Sequence, residues 1–357
     1  MSTLSSNLTG PTRYRRWTRA ERAGTPRGIR GVLARLAWLR GFGSGTWFAI
    51  VRAGVKRANK DAQLRFLLWF GLSFVAGTTG LFYALATLEI LAGSPQARGL
   101  YDMARGLLGV DLSGVQRVGE FRELLWRTVY LLTLKVQLFW VMTTVSRVGP
   151  QLIAQDIRTR ALPIYFSKPV TPRTYLLGKW LILAVVVGLV TFVPNLLSLT
   201  LGVMVTGGLA TWAQTLHLAG DLALASGGIM VLAGLLILAL SSLSADKRYV
   251  SVAWFALCIL PVIAQGIINE NVPRDARAHW LGSISIYGDC NVLIGWLFDM
   301  RSRFDASGLP SEAFARALPR DVEPLYPALV LGGLCVLALV VCYRRVVRFS
   351  RSAASVA

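Results

Sequence analysis

Apolar residues run along the chain in six long blocks, at about 66–88, 128–148, 177–205, 222–243, 250–268 and 326–343. Each block has 18 residues or more, which is the signature of a membrane-spanning helix, because about 20 residues at a rise of ~1.5 Å cross the ~30 Å hydrocarbon layer. A bilayer offers the backbone no hydrogen-bond partners, so only helices and closed barrels cross it, and the alternating pattern of barrel strands is absent. The pattern predicts an all-α membrane protein with six transmembrane helices over residues 66–343. Short polar segments, two longer outer loops (92–126 and 269–325) and a basic tail at 344–357 complete it.

Ahead of the first block, "TWFAIVRAGVKRANK" has a different periodicity. Trp47, Ile50, Val51 and Val55 fall on one helical face, and Arg52, Lys56, Arg57 and Lys60 on the other. That is the pattern of an amphipathic helix lying in the membrane interface over 46–65, or of a charged cap on the first span. Residues 1–45 read as a basic, largely disordered arm ending in "GFGSG", too short a glycine signal to hold a nucleotide.

The segment between the second and third blocks is the most structured of the polar stretches. Gly149-Pro150 ends the preceding helix. "QLIAQDIRTR" follows with helical spacing, Leu152, Ile153 and Ile157 on one face and Asp156 placed to pair with Arg160 at i,i+4. Pro163 and Pro169 are expected to keep "ALPIYFSKP" out of a helix and to leave Tyr165 and Phe166 facing outwards. Thr171-Pro172 is an N-cap with proline at the first helical position. A discrete amphipathic helix with aromatics beside it fits a protein-docking surface. A basic loop resting on lipid headgroups is the plainer reading.

Charge orients the bundle. The 357-residue chain is 54% hydrophobic and 16% charged, below the ~25% of soluble domains, with a net charge of +20. Segments 1–65, 146–180, 244–250 and 344–357 hold 26 Lys/Arg and four acids, whereas 92–126, 206–221 and 269–325 hold ten Lys/Arg and thirteen acids. Cytosolic loops carry the positive excess, so both termini are expected in the cytosol of a bacterial inner membrane. The same distribution makes the basic excess a topology and lipid signal and excludes a nucleic-acid partner. Four cysteines without a CxxC and two separated histidines, His217 and His279, give no metal site.

Within the blocks, Lys135 is a charge near mid-span, read as a transport-path residue, a contact across a dimer seam or a snorkelling structural lysine. Asn195, beside a helix-loosening Pro194, and Gln265, near Pro261, are packing residues or part of a path. Asn195 is expected to bond the carbonyls that Pro194 frees. Gly71, Gly77, Gly80, Gly227 and Gly228 suit close helix contacts. In the second outer loop, Val292, Leu293, Trp296 and Leu297 share one face of a short apolar helix expected at the membrane edge.

The stretch "GPQLIAQDIRTRALPIYFSKPVTPRTYLLGKW" resembles the connection between spans two and three of ABC-2 type transporter permeases, nearest the multi-copper enzyme maturation permease branch. The residues that carry it are Gly149-Pro150, Ile153, Asp156, Arg158, Ile164-Tyr165-Phe166-Ser167, Pro169, Tyr175 and Gly178-Lys179; "LSSLSADKRYVSVAW" resembles the family's turn between spans four and five. The resemblance implies a permease subunit, a second permease copy (identical or related) and a separate ABC ATPase that binds ATP and Mg. It makes the connection a coupling helix, with Leu152, Ile153, Asp156, Ile157, Arg158, Arg160, Tyr165, Phe166, Lys168, Pro169 and Arg173 docking the ATPase. Leu293, Trp296 and Leu297 become an outer gate. Export of a cargo of unknown chemistry is the implied activity.

No GxxxxGK[ST] occurs, so ATP hydrolysis is expected in the partner and no cofactor in this chain. The absence of HExxH and GxSxG, and of histidines or paired acids within the blocks, disfavours an intramembrane enzyme. An ion-coupled transporter, which would use buried mid-span acids, and a non-transporting scaffold are the rival readings.

Overall fold

The computed structural model describes residues 46–58, 62–90, 122–166, 170–206, 208–273, 279–302 and 322–354. The basic arm, most of the first outer loop, Lys60, Lys168, Pro169 and 303–321 lie outside these, as do the side chains of Trp47, Lys56 and Arg57. Every regular element among the described residues is helical.

In chain order these are α1 (Thr46–Ala58), α2 (Ala62–Ile90), α3 (Arg122–Val148), α4 (Ala154–Arg158), α5 (Ala161–Phe166), α6 (Pro172–Val190) and α7 (Phe192–Thr206). They continue with α8 (Gly208–Leu243), α9 (Lys247–Asn271), α10 (Ile286–Leu297) and α11 (Leu325–Ala354). Five described stretches are long and apolar enough to cross a membrane: the one containing α3, the α6–α7 pair, α8, α9 and α11. The sixth expected span falls in α2, a continuous helix of 29 residues. Val252 and Leu260 of α9 and Val336 and Leu337 of α11 stand outward and exposed. Large apolar surfaces along whole helices are what a multi-pass membrane protein presents to lipid.

The core lies between α3, α6 and α8, where Tyr130, Leu131, Leu134, Leu183, Val187 and Ile237 are fully enclosed. Phe82 of α2 reaches this core and stacks on Trp126 and Tyr130, with ring centroids 4.6 and 5.6 Å away. Such tilted aromatic contacts add to the area they bury.

Several boundaries differ from the expected ones. The third block is two helices: α6 stops at Thr191, because Pro194 has no N–H for the carbonyl four residues back. The expected outer loop at 206–221 is helical from Gly208 onward, as part of α8. The basic tail continues α11 as helix to Ala354, a placement that puts Arg344, Arg345 and Arg348 near the negative end of the helix dipole.

Of the five glycines expected at close helix contacts, Gly71 alone has a neighbour, Pro194 at 3.6 Å, and the tight contacts are made by other glycines. A Cβ at Gly77, Gly80, Gly227 or Gly228 would meet nothing. A Cβ on Gly54 or Gly149 would instead collide with Ile182 or Ile237, and one on Gly202 would lie 2.7 Å from Phe82. These are the places where helix backbones come within a side chain's width.

Candidate functional site

The α3–α6 connection is a folded knob at one end of the bundle. Its first turn, Gly149–Gln151, is 3-10 helix and lies on α8, with Gly149 against Ile237. Ser241 of α8 then caps α4 from outside. Its hydroxyl oxygen accepts from the N–H groups of Ile153 (3.2 Å) and Ala154 (2.9 Å) and donates to the Pro150 carbonyl (3.3 Å). Orphan N–H groups at a helix start need such a partner, and here another helix supplies it.

α4 is a short helix of five residues, yet it is anchored by charge. Asp156 is buried; its Oδ2 sits 2.7 Å from Lys179 Nζ and accepts a 2.7 Å hydrogen bond from the Tyr175 hydroxyl. Both partners belong to the first turns of α6, which Thr171 caps by accepting from Thr174 N–H at 3.2 Å. The expected Asp156–Arg160 pair is therefore replaced by a longer-range one. Arg160 is exposed with φ 53, a left-handed residue that ends α4 and redirects the chain.

α5 corrects a second expectation. Residues 161–166 are helical despite Pro163, because proline in a first helical turn removes an N–H that has no intrahelical partner. Tyr165 and Phe166 turn inward rather than out, with ring centroids 5.7 and 5.9 Å from that of Tyr175. Lys179 Nζ lies 5.3 Å from the Tyr175 ring centroid and 5.9 Å from that of Tyr165. A cation, a carboxylate and three aromatic rings thus form one interior cluster.

The expected docking residues divide accordingly. Leu152, Ile153 and Asp156 are buried within the chain, and Ile157, Tyr165 and Phe166 are half-buried against the core. Arg158, Arg160, Arg173 and Ile164 form the exposed surface of the knob, Ile164 at 65% exposure.

α1 lies along α6 through a reciprocal fit: Ile50 sits on Gly178, and Gly54 on Ile182. Ile50, Val51 and Val55 are half-buried and Arg52 is exposed. Between α1, the end of α3, α4, α5 and α6 is a cavity of about 470 Å³, with Arg147, Gln155, Asp156 and Lys179 among its walls. Asp156 and Lys179 meet each other in its wall, so the cavity carries a neutralised ion pair.

The residues placed on a transport path do not meet. Asn195 is buried and pairs with Gln137 of α3: its Nδ2 donates to Gln137 Oε1 at 2.7 Å, and Gln137 Nε2 returns a 3.4 Å bond. It does not bond the carbonyls freed by Pro194. Gln265 staples α9 to the following turn, donating to the Leu281 carbonyl (3.3 Å) and accepting from Ile284 N–H (3.3 Å). Lys135 is half-buried on α3, and its backbone carbonyl accepts from the Tyr287 hydroxyl at 3.1 Å.

Most of the apolar face expected on α10 packs against the bundle. Val292 and Cys290 are buried, Leu293 and Leu297 pack on the core and Trp296 alone of these five residues is exposed. Ser285 caps α10 by accepting from Gly288 N–H. Burial, then the nearby Asp289 carboxylate, pushes the Cys290 thiol up to about 12.

The opposite end of the bundle carries a cluster that spacing along the chain did not reveal. Arg127 is 2% exposed and donates to Glu123 (3.2 and 3.1 Å), Asp221 (3.1 Å) and the Phe298 carbonyl (2.9 Å). His217 Nε2 is 3.0 Å from the same Glu123 oxygen. The one legible signal was Glu123 four residues before Arg127, which also brings residues 122–126 into α3. Among the described residues, no group of three His, Cys, Asp or Glu side chains is placed to hold a metal. Comparison with protein-family models and with curated proteins gives no match.

Proposed function

We propose that this chain is the permease subunit of an ABC exporter, working as a pair of copies with a separate ATPase that docks on the α4–α5 knob. The observation that carries this reading is the fixed coupling of the knob to α6 through Asp156, Lys179 and Tyr175. A force applied to α4 passes into a spanning helix without first deforming a loop. The exposed Arg158, Arg160 and Ile164 supply the outward face that a motor would grip. The resemblance of residues 149–180 to ABC-2 permeases supports the same assignment.

Charge supports the orientation. The knob end gathers Arg147, Arg158, Arg160, Arg173, Lys247, Arg248, Arg344, Arg345 and Arg348, against Asp156 and Asp246 among the described residues. On the positive-inside rule we take that end, and with it both termini, as cytosolic in a plasma-membrane protein, with α2 as a sixth span and α1 in the interface. ATP and Mg belong to the partner, whose closure would move the two knobs and open a path between the permease copies.

The test is recovery of the tagged full-length chain from its native membrane, followed by ATP hydrolysis with and without vanadate. A co-purifying P-loop ATPase with vanadate-sensitive turnover is expected, and Arg158→Glu/Arg160→Glu should release it while the permease stays folded. Recovery of the folded chain with no ATPase, or an ATPase indifferent to the double variant, overturns the docking assignment.

A further inference from the structure

The cavity of about 470 Å³ between α1, the end of α3, α4, α5 and α6 has two unlike walls. Ile50, Gly54, Val148, Leu152 and Ile182 make an apolar side, and Arg147, Gln151, Gln155 and Thr159 a polar one. Ala53, Arg147, Gln155 and Thr159 are exposed, so the cavity opens at the surface between α1 and α4. Arg158 and Arg160, the outward face given to the ATPase, lie outside its walls.

Three charged side chains line the cavity: Arg147, Asp156 and Lys179. Asp156 and Lys179 cancel each other at 2.7 Å. Among the described residues no acid pairs with Arg147, so the walls keep one net positive charge. A guanidinium is a planar fork of donors that fits phosphate oxygens two at a time. Gln155 brings an amide to the same wall, whereas Gln151 spends its amide on the Arg147 carbonyl at 3.1 Å.

An occupant has to match both sides, with an anionic head for Arg147 and hydrocarbon against Ile50 and Ile182. The volume lies within the ~300–1,000 Å³ of ligand sites. On the orientation proposed above, the mouth sits at the cytosolic interface, where anionic phospholipids gather. We propose that this cavity binds one anionic phospholipid, with Arg147 holding its phosphate and the apolar wall taking the start of an acyl chain. The site rests on the membrane-spanning reading above and does not depend on the ATPase.

The test is native mass spectrometry of the full-length chain in detergent, given equal amounts of phosphatidylglycerol and zwitterionic phosphatidylcholine. Phosphatidylglycerol should be retained about tenfold over phosphatidylcholine. Arg147→Gln should abolish that preference. Arg248→Gln removes an exposed cation at the same end but outside the cavity, and should keep it. Ala53→Trp, at the exposed rim, should fill the space and reduce retention of phosphatidylglycerol. Thermal unfolding reports whether each variant is folded, and Arg147→Gln, an exposed residue at a helix end, decides if Ala53→Trp is not. Equal retention of the two lipids by the wild type would overturn the proposal. So would equal loss of preference in Arg147→Gln and Arg248→Gln, which would make the attraction a property of the whole basic surface. Displacement of the lipid mole for mole by soluble glycerol 1-phosphate would assign the site to a free phosphate ester and overturn the lipid. Neither an ATPase nor a bilayer is present, so any such failure leaves the docking assignment and the orientation intact.

Discussion

Lys179 Nζ lies 2.7 Å from Asp156 Oδ2, and both side chains are 9% exposed. This pair joins residues 23 positions apart and fixes α4 against α6. Removing one member leaves a buried charge without its counter-charge, at a cost of about 3–5 kcal/mol. Asp156→Asn and Lys179→Met should each lower the thermal midpoint in detergent. The double variant should lose less than the sum of the two singles, because it leaves no charge stranded. Strict additivity in that cycle would show that the pair is not coupled.

At the other face of the connection, Gly149 packs its backbone on Ile237 of α8. A methyl group at Gly149 has no room, so Gly149→Ala should destabilise the protein by about 1–3 kcal/mol, the usual cost of overpacking. Ile237→Ala, combined with Gly149→Ala, should recover part of that loss, although Ile237→Ala alone opens a cavity. By contrast, Gly227→Ala and Gly228→Ala meet open space and should leave the unfolding midpoint within error. Differential scanning fluorimetry of the five variants separates these outcomes.

The contrast between those glycines shows what was legible in the chain. The apolar blocks, the Thr171-Pro172 start of α6 and the break near Pro194 follow from local rules of length, capping and missing N–H groups. Which glycine touches which isoleucine depends on a residue from a distant helix, as with Gly149 and Ile237. Asp156 had a local partner at i,i+4 in Arg160 and a remote one in Lys179. The remote pair prevails because burial strengthens it and because Arg160 turns away in a left-handed conformation. Asn195 took Gln137 over the backbone for a similar reason: the facing helix presents an amide that satisfies both of its polar ends.

The Asn195–Gln137 pair ties α7 to α3 in the middle of the bundle. Gln137→Leu should leave the Asn195 amide short of partners and cost about 1–2 kcal/mol. Replacing both with leucine removes the unmet demand and should be closer to neutral than either single change. Equal losses for the singles and the double would mean that the two amides are not each other's main partner. Unfolding midpoints in one detergent provide the comparison.

Arg127 anchors the opposite end through three elements at once, reaching Glu123 on its own helix, Asp221 on α8 and the Phe298 carbonyl after α10. Arg127→Lys keeps the charge but cannot span that fork, because an ammonium is a point donor and a guanidinium is a planar one. Both Arg127→Lys and Arg127→Met should therefore lower the thermal midpoint. If Arg127→Lys proves indistinguishable from wild type, charge alone holds this end.

Cys290 gives a pH-dependent readout of the packing around α10. Its thiol ordinarily ionises near 9.0, and burial raises this to about 12 in the folded chain. The folded state holds the proton more tightly than the unfolded one, so the contribution to stability is fully present below about pH 9. It is lost as the pH rises towards 12. The thiolate is the reactive species, so a maleimide at pH 8.5 should leave Cys290 unmodified in the folded protein and modify it after unfolding in detergent. Peptide mass mapping of the Cys290 segment reads this directly. Rapid modification at pH 8.5 in the folded chain would mean that α10 is not seated against the bundle as described.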